Sequence, residues 1–329
     1  MTQAQLLAAA SGAALHAHRT YRVDRQRRVE VFDVLTAAGS DVFFRPLKKV
    51  CGAYLPGDGP VPAVLINSNM PLSRQRYTAA HEFGHLFLGH SVVSLDKVVG
   101  MADGEGNAVS SEERKNWTDE DRIAETFAAF FLMPRALVEA SLRELRASTL
   151  TPEIVYLLSL KLGTSYLATV NHMQTLGKLN YARAAEFRKI EPKTIKGGIS
   201  GHLARRHDVW ILDEHWNGQP IYPAVEDTIV VRLAEIPTSG YTWVWHGQPE
   251  SLRVLEDGFA DEPTEEIGGS RVRELVMEVS SEAHAETIDL ERRQPWDDHD
   301  EPSAHFSFDI FPQQMRKTGP LVPPTLAAS

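Results

Sequence analysis

The stretch HEFGHLFLGH, residues 81–90, decides how the first half of the chain is interpreted. Residues i and i+4 of an α-helix share a face, so His81 and His85 direct two imidazoles at one point, with Glu82 beside them. Tetrahedral zinc with three protein ligands keeps a fourth position for water, and a nearby carboxylate can take a proton from that water. The spacing predicts a zinc site with Glu82 as general base. The competing interpretation is a solvated helix face.

The residues around the motif favour a buried helix. Phe83 and Leu86 are apolar, and Gly84 between the two histidines permits the close approach of another backbone segment. His90 is a less suitable ligand, because five residues advance about 500° around a helix and carry it away from the shared face. We therefore expect His90 to be an ordinary residue at the helix end.

A third ligand has to come from outside the quoted stretch. In DEDRIAETFAAFFLMP, residues 119–134, Asp121 and Glu125 are again four apart. Both carboxylates are thus expected on one side of a second helix. Either can complete a zinc site, and the competing interpretation is a pair of helix-surface acids.

The two segments together resemble a known family. RYTAAHEFGHLFLGH at 76–90 and DRIAETFAAFFLMP at 121–134 are similar to motifs of the ImmA/IrrE-type metallopeptidases, which are related to the gluzincins. The resemblance covers roughly residues 10–185 and implies a mainly helical zinc peptidase domain with a small sheet. Residues 151–178 resemble the helix-turn-helix-like region that follows in this family.

The register of the resemblance places the family's glutamate ligand at Asp121 and its usual Asn or Asp at Glu125. In this register Asp121 binds zinc and Glu125 orients a histidine through a hydrogen bond. Local chemistry supports the opposite assignment, because Thr118 to Asp121 resembles a capping box that occupies Asp121, and glutamate reaches further. Both assignments stay open at the level of sequence.

The composition indicates two domains in a reducing compartment. A chain of 329 residues exceeds what a single hydrophobic core usually serves. Its one cysteine, Cys51, excludes an intramolecular disulfide. No apolar run approaches the ~20 residues that span a bilayer. We therefore expect a cytoplasmic protein without a membrane partner.

Near residue 190 the spacing of apolar residues changes from helical to alternating. The stretch IEPKTIKGGISGH at 190–202 is typical of a linker. Beyond it, alternation predicts half-buried antiparallel strands in TIVVRLAE (228–235), RVRELVMEV (271–279), ETIDLE (286–291) and AHFSFDIF (304–311). The predicted organisation is a peptidase domain at 1–190, a linker at 191–207, a β-sandwich at 208–312 and a disordered tail at 313–329.

Three loops of the β region combine aromatic residues with Pro or Gly, which predicts a binding edge at one end of the sandwich. The candidate residues are Pro237, Thr238, Gly240, Tyr241 and Trp243 in the first loop, Gly268 and Gly269 in the second, and Pro295 and Trp296 in the third. The competing interpretation makes Trp243 a core residue and the loops plain turns.

The order and the sequences of these loops resemble those of the chagasin-like inhibitors of papain-family cysteine peptidases, over roughly residues 208–312. The resemblance implies an immunoglobulin-like antiparallel β-sandwich whose loops meet a peptidase. Ile236 stands where the family has Asn, and Gln294 stands where it has Arg. We therefore expect docking of a peptide or protein partner rather than inhibition of a cysteine peptidase. The fold class is α+β with two domains.

Three functions follow as hypotheses. The resemblance implies an endopeptidase that uses Zn²⁺ to cut a regulatory protein, such as a helix-turn-helix repressor, in a stress or mobile-element response. Alternatively, the β domain binds a partner or inhibits a cysteine peptidase, and the metal site is vestigial. In the third, residues 151–178 bind DNA, which their few basic residues disfavour. Residues 256–301 hold 16 Asp and Glu against 4 Arg, which argues against nucleic acid there.

Overall fold

The computed structural model describes residues 1–48, 50–56, 61–90, 94–97, 117–200, 207–260, 269–296, 301–314 and 319–320. The helices in these ranges are α1 (Gln3–Thr20), α2 (Val31–Ala37), α3 (Leu72–Leu88), α4 (Asp119–Leu132), α5 (Arg135–Glu144), α6 (Pro152–Leu162), α7 (Tyr166–Thr175), α8 (Tyr181–Phe187) and α9 (Pro192–Ser200). The strands are β1 (Asp41–Arg45), β2 (Val50–Leu55), β3 (Ala63–Asn67), β4 (Ser94–Lys97), β5 (Val209–Leu212), β6 (Gln219–Ile221), β7 (Thr228–Glu235), β8 (Thr242–Trp245), β9 (Leu252–Phe259), β10 (Arg271–Val279), β11 (Glu286–Arg293), β12 (Ala304–Ile310) and β13 (Gly319–Pro320).

The chain forms two compact units. The first contains residues 1–141, 161–189 and 315–329, and the second contains residues 142–160 and 190–314. The mixed α+β class predicted from the sequence is confirmed. Within the described ranges, no helix has the length and apolar character that crossing a bilayer requires.

The first unit is helical around one small sheet. The sheet has the order β13-β1-β3-β2-β4, in which β1 and β3 are parallel and the other pairs are antiparallel. Helix α3 packs against β2 and β3 on one side and against α4 on another, while α1 packs against α4. Phenylalanines fill the space between α3 and α4, with the rings of Phe83 and Phe131 5.1 Å apart and those of Phe127 and Phe131 stacked at 5.5 Å.

The second unit contains two four-stranded sheets, β5-β7-β10-β9 and β6-β12-β11-β8. Most neighbours are antiparallel, as predicted, but β5 pairs with β7 and β6 pairs with β12 in parallel. Inward-facing residues of both sheets, among them Trp210, Leu275 and Phe306, are fully or almost fully buried. They form the hydrophobic core that the alternation in the sequence requires.

Two boundaries differ from those predicted. The expected linker contains α9, because Pro192 at the first helical position has the backbone angle that a helix start needs, and Ile195 is buried. Residues 142–160 group with the second unit, since the Tyr156 hydroxyl donates to Asp208 Oδ1 at 3.1 Å and accepts from the backbone N–H of Val209 at 2.9 Å.

The tail is also not wholly irregular. Gly319 and Pro320 form β13, which pairs antiparallel with Phe43 and Phe44 of β1. Proline is tolerated there because β13 is an edge strand, whose outer N–H groups need no partner in the sheet. A proline-rich composition therefore does not exclude a short strand.

Candidate metal and binding sites

The two histidines of the motif lie one helical turn apart on α3 and converge as predicted. His85 Nε2 lies 3.2 Å from His81 Nε2, and each residue is 1% exposed. The two Nε2 atoms are therefore a pair of closely spaced metal-ligand atoms inside the first unit.

The acids of α4 meet different atoms of this pair. Asp121 Oδ1 lies 3.7 Å from His85 Nε2, whereas Glu125 Oε2 lies 3.3 Å from His81 Nδ1. One ligand atom each from His81, His85 and Asp121 lies within 4.8 Å of the others. Asp121 thus lies on the side where the two Nε2 atoms converge. Glu125 lies beside Nδ1, the outer nitrogen of His81.

The capping box at the start of α4 is present, yet it does not occupy the whole Asp121 carboxylate. Asp121 Oδ2 accepts hydrogen bonds from the Thr118 backbone N–H at 3.0 Å and from the Thr118 hydroxyl at 2.8 Å. The other oxygen, Oδ1, is the one that faces His85. The capping box predicted from the sequence is confirmed, and Asp121 can still face His85 because its two oxygens have separate partners.

Gly84 sets the distance between the two helices. An ideal Cβ at Gly84 would lie 3.0 Å from Phe127 Cδ1 and 3.2 Å from Ala124 Cα. Such contacts are tighter than ordinary van der Waals packing, so only glycine lets α4 approach this closely. The close approach predicted from the sequence is confirmed, and it brings Asp121 to the histidines.

Glu82 points away from solvent, toward the sheet. It is 0% exposed, and an ideal Cβ on Gly52 of β2 would lie 3.5 Å from Glu82 Oε1. That Cβ would also lie 2.4 Å from Thr78 Cγ2 and 2.7 Å from Leu65 O. Glycine at position 52 is therefore needed for β2 to pass beside the motif helix.

Burial controls the charge of His85. Burial, followed by repulsion from His81 and His90, lowers the pKa of His85 to about 3, and the Asp121 carboxylate opposes this change in part. His85 is consequently neutral at pH 7, which is the state in which an imidazole binds a metal.

These residues fit a zinc ion. Zinc accepts imidazole nitrogen and carboxylate oxygen at about 2.0–2.2 Å, so two ligand atoms of a tetrahedral site are about 3.3 Å apart. The 3.2 Å between the two Nε2 atoms matches this spacing, and the 3.7 Å to Asp121 Oδ1 is close to it.

Among the described residues, His90 is not part of the converging group of His81, His85 and Asp121, in line with its expected place at the helix end. Its Nδ1 lies 2.8 Å from Nδ1 of His85. The contact arises because α3 ends at Leu88 and Gly89 adopts a left-handed conformation with φ of 70°, which turns His90 back toward His85. A glycine directly after the last periodic residue is the sequence signal that was available.

In the second unit, two of the three predicted loops come together. Gly240 has φ of 80°, and an ideal Cβ there would lie 2.8 Å from Trp296 Cη2, so the indole rests directly on the first loop. A cleft of about 490 Å³ opens beside this contact. Its aromatic lining is Tyr241, Phe259 and Trp296, and its charged lining is Glu235, Asp257 and Arg273.

The other predicted loop residues differ in whether they line the cleft. Pro237 and Pro295 line the cleft, and Thr238 belongs to the same turn of 3₁₀-helix as Pro237. Gly269 lies just before β10 and, among the described residues, is not part of the lining, whereas Gly268 lies outside the described residues.

Trp243 is a core residue, contrary to its assignment to the binding edge. It is 4% exposed, and its indole N–H donates to the Ala234 carbonyl at 3.0 Å. Its backbone N–H is bound by Glu235 Oε2 at 3.0 Å. Trp243 lies within β8, where alternation turns its side chain inward; Trp296 is 70% exposed.

Two family models match the chain. Residues 35–166 match peptidase family M78, described as the IrrE N-terminal-like domain. Residues 223–310 match the chagasin family of peptidase inhibitors, I42. The first range contains His81, His85, Asp121 and Glu125, and the second contains both loops of the cleft. The matches support a peptidase-related function, with protein substrates or peptidase partners.

Solved structures resemble about a third of the chain. The cysteine protease inhibitor EhICP2 from Entamoeba histolytica is 20% identical over 33% of this chain and 99% of that chain, with a TM-score of 0.30. Amebosin is 22% identical over 32% and 98%, with a TM-score of 0.27. PbICP-C, solved in complex with falcipain-2, is 14% identical over 35% and 95%, with a TM-score of 0.22. No curated protein matches the chain.

Proposed function

We propose that the protein is a zinc-dependent endopeptidase whose second unit docks a protein partner or substrate. The observation that carries the proposal is the convergence of one ligand atom each from His81, His85 and Asp121 within 4.8 Å, next in sequence to a buried Glu82. Two imidazoles and one carboxylate are a set of ligands that suits zinc with one position left open.

In this proposal His81, His85 and Asp121 hold the metal. A bound zinc ion supplies a Lewis acid and lowers the pKa of its water to about 7. Glu82 takes a proton from the attacking water and later gives it to the leaving amine.

Glu125 has a positioning role. A histidine that binds metal through Nε2 carries its proton on Nδ1, and the Glu125 carboxylate lies beside this nitrogen, with Oε2 3.3 Å from His81 Nδ1. The carboxylate keeps the His81 ring turned toward the site. Asp121 is the ligand and Glu125 the orienting acid, in agreement with the register of the family resemblance.

The substrate is proposed to be a regulatory protein, such as a helix-turn-helix repressor. The cleft of the second unit is the docking surface, and its three aromatic rings suit side chains of an extended segment. The resemblance to stress-response and mobile-element peptidases supports this substrate class. No DNA-binding or membrane role is needed for it.

The first test measures metal content by mass spectrometry in purified wild-type protein and in His81→Ala and Glu82→Gln variants. We expect one zinc per wild-type chain, loss of zinc in His81→Ala, and retained zinc in Glu82→Gln. Cell extract is then incubated with wild-type protein or Glu82→Gln, and new protein N-termini are compared. Absence of zinc from every preparation, even after supplementation, overturns the proposal.

The match of residues 223–310 to the inhibitor family favours a second candidate, inhibition of a papain-type cysteine peptidase. Titration of papain activity with the purified chain tests it. Because Ile236 and Gln294 replace the family's polar residues, we expect no tight inhibition. Stoichiometric inhibition that is lost in Trp296→Ala establishes this second function.

A further inference from the structure

The end of α3 is folded back onto its own last turn. Gly89 adopts φ of 70° and ψ of 31°, and its backbone N–H bonds to Leu86 O at 3.2 Å. The next N–H, that of His90, donates to His85 O at 3.0 Å. These two bonds are those of a Schellman cap, in which a left-handed glycine ends the helix.

The cap places the His90 side chain against His85. The two Nδ1 atoms are 2.8 Å apart, and the rings meet edge to face with centroids 4.9 Å apart. His85 is 1% exposed, so the contact is shielded from water on the His85 side.

This distance requires one proton between the two nitrogens. Two imidazole nitrogens without a proton repel each other at 2.8 Å, and a hydrogen bond needs one donor and one acceptor. His85 Nε2 faces His81 Nε2 and Asp121 on the converging side of the site. If Nε2 keeps its lone pair for a metal, the proton of the neutral His85 ring lies on Nδ1.

We infer that His90 is a positioning residue that holds His85 in the Nδ1–H tautomer and so presents the Nε2 lone pair to the metal. His85 Nδ1–H donates to His90 Nδ1, and His90 carries its own proton on Nε2. The inference rests on the proposed zinc function. It gives His85 a partner equivalent to the one that Glu125 gives His81.

The test compares His90→Phe with His90→Asn in the full chain. Phenylalanine keeps the ring and removes the acceptor, whereas the Oδ1 of asparagine is attached to Cγ in the same way as the Nδ1 of histidine. Nitrogen-15 NMR of histidine-labelled, metal-free protein reports which nitrogen of His85 carries the proton. Competition with a chelator gives the zinc dissociation constant, and thermal unfolding checks the fold.

We expect His85 to be an Nδ1–H tautomer in the wild type and in His90→Asn, and a mixture of tautomers in His90→Phe. Zinc affinity falls about tenfold or more in His90→Phe and is restored in His90→Asn. An unchanged tautomer and unchanged affinity in folded His90→Phe overturn the inference while leaving the zinc site intact. If the wild type binds no zinc, the proposed function is contradicted. If His85 in the wild type is an Nε2–H tautomer, the role of His90 is contradicted.

Discussion

Asp121 Oδ1 lies 3.7 Å from Nε2 of His85, while the other oxygen of the same carboxylate caps helix α4 through Thr118. One side chain therefore fixes the start of α4 and closes the histidine site. The two roles are coupled, because the cap determines where the free oxygen points. Experiments that separate them test the ligand assignment directly.

Asp121→Asn should weaken zinc binding by more than about 100-fold. Removing the charge of a direct ligand lowers the affinity more than removing a hydrogen bond to a ligand does. Chelator competition measures the affinity. Thr118→Ala is the matched control, because it removes the capping hydroxyl but keeps the carboxylate and the backbone N–H that donates to Asp121 Oδ2. We expect this control to lose about 1 kcal/mol of unfolding free energy and to keep zinc. Unchanged zinc affinity in Asp121→Asn contradicts the assignment.

Glu125→Ala should weaken zinc affinity by about 10- to 100-fold without abolishing binding, because His81 loses the carboxylate beside its outer nitrogen. Glu125→Gln keeps a neutral acceptor and should fall between the wild type and Glu125→Ala. Calorimetric titration with zinc distinguishes the three proteins. If Glu125→Ala abolishes binding while Asp121→Asn keeps it, the two acids have the opposite roles.

Gly84→Ala should destabilise the protein by about 1–3 kcal/mol and reduce zinc affinity, because the new Cβ collides with Phe127 and Ala124 and moves α4 outward. Gly12→Ala is the control in α1, where a Cβ meets nothing within 4 Å. This exposed helical position should gain about 0.5–1 kcal/mol. Urea unfolding measures both changes, and equal effects of the two variants contradict the packing argument.

His172 should make the fold sensitive to acid. Burial lowers its pKa to about 4, while the ring hydrogen-bonds the Met133 carbonyl at 2.9 Å. The unfolded chain binds a proton near pH 6.5 and the folded chain does not, so stability is complete above pH 6.5 and falls as the pH drops toward 4. The loss from this residue approaches roughly 3 kcal/mol.

Urea unfolding of the wild type and of His172→Gln between pH 7 and pH 4.5 measures this contribution. Glutamine keeps a donor for Met133 O and cannot titrate, so the stability of the variant should depend less on pH. His18, whose pKa is lowered by burial, contributes to the acid sensitivity that remains. Parallel pH curves for the two proteins contradict the prediction.

The two tryptophans of the β unit should respond differently to truncation. Trp243→Ala should cost about 3–5 kcal/mol of unfolding free energy, because the residue is 4% exposed in the core. Trp296→Ala should change stability by less than about 1 kcal/mol, since the side chain is 70% exposed. Denaturant unfolding of both variants checks this, and a large loss in Trp296→Ala makes that residue structural rather than part of a docking surface.

The sequence by itself determined the local parts of the protein. The four-residue spacings fix His81 with His85, and Asp121 with Glu125, on shared helix faces, because the helical period acts within a few residues. Alternation in the second half likewise predicted four of its strands, β7, β10, β11 and β12. These features depend on neighbours along the chain, and the structure contains all of them.

Only the tertiary structure decided which acid faces the Nε2 pair, because both lie on one face of α4 and the choice depends on where α4 crosses α3. The contact of Gly84 with Ala124 fixes that crossing and sets Asp121 beside His85. His90 likewise reaches His85 because Gly89 ends the helix and reverses the chain. The helical period predicts which residues share a face only within one helix. The position of one helix on another depends on the size of the side chains packed between them.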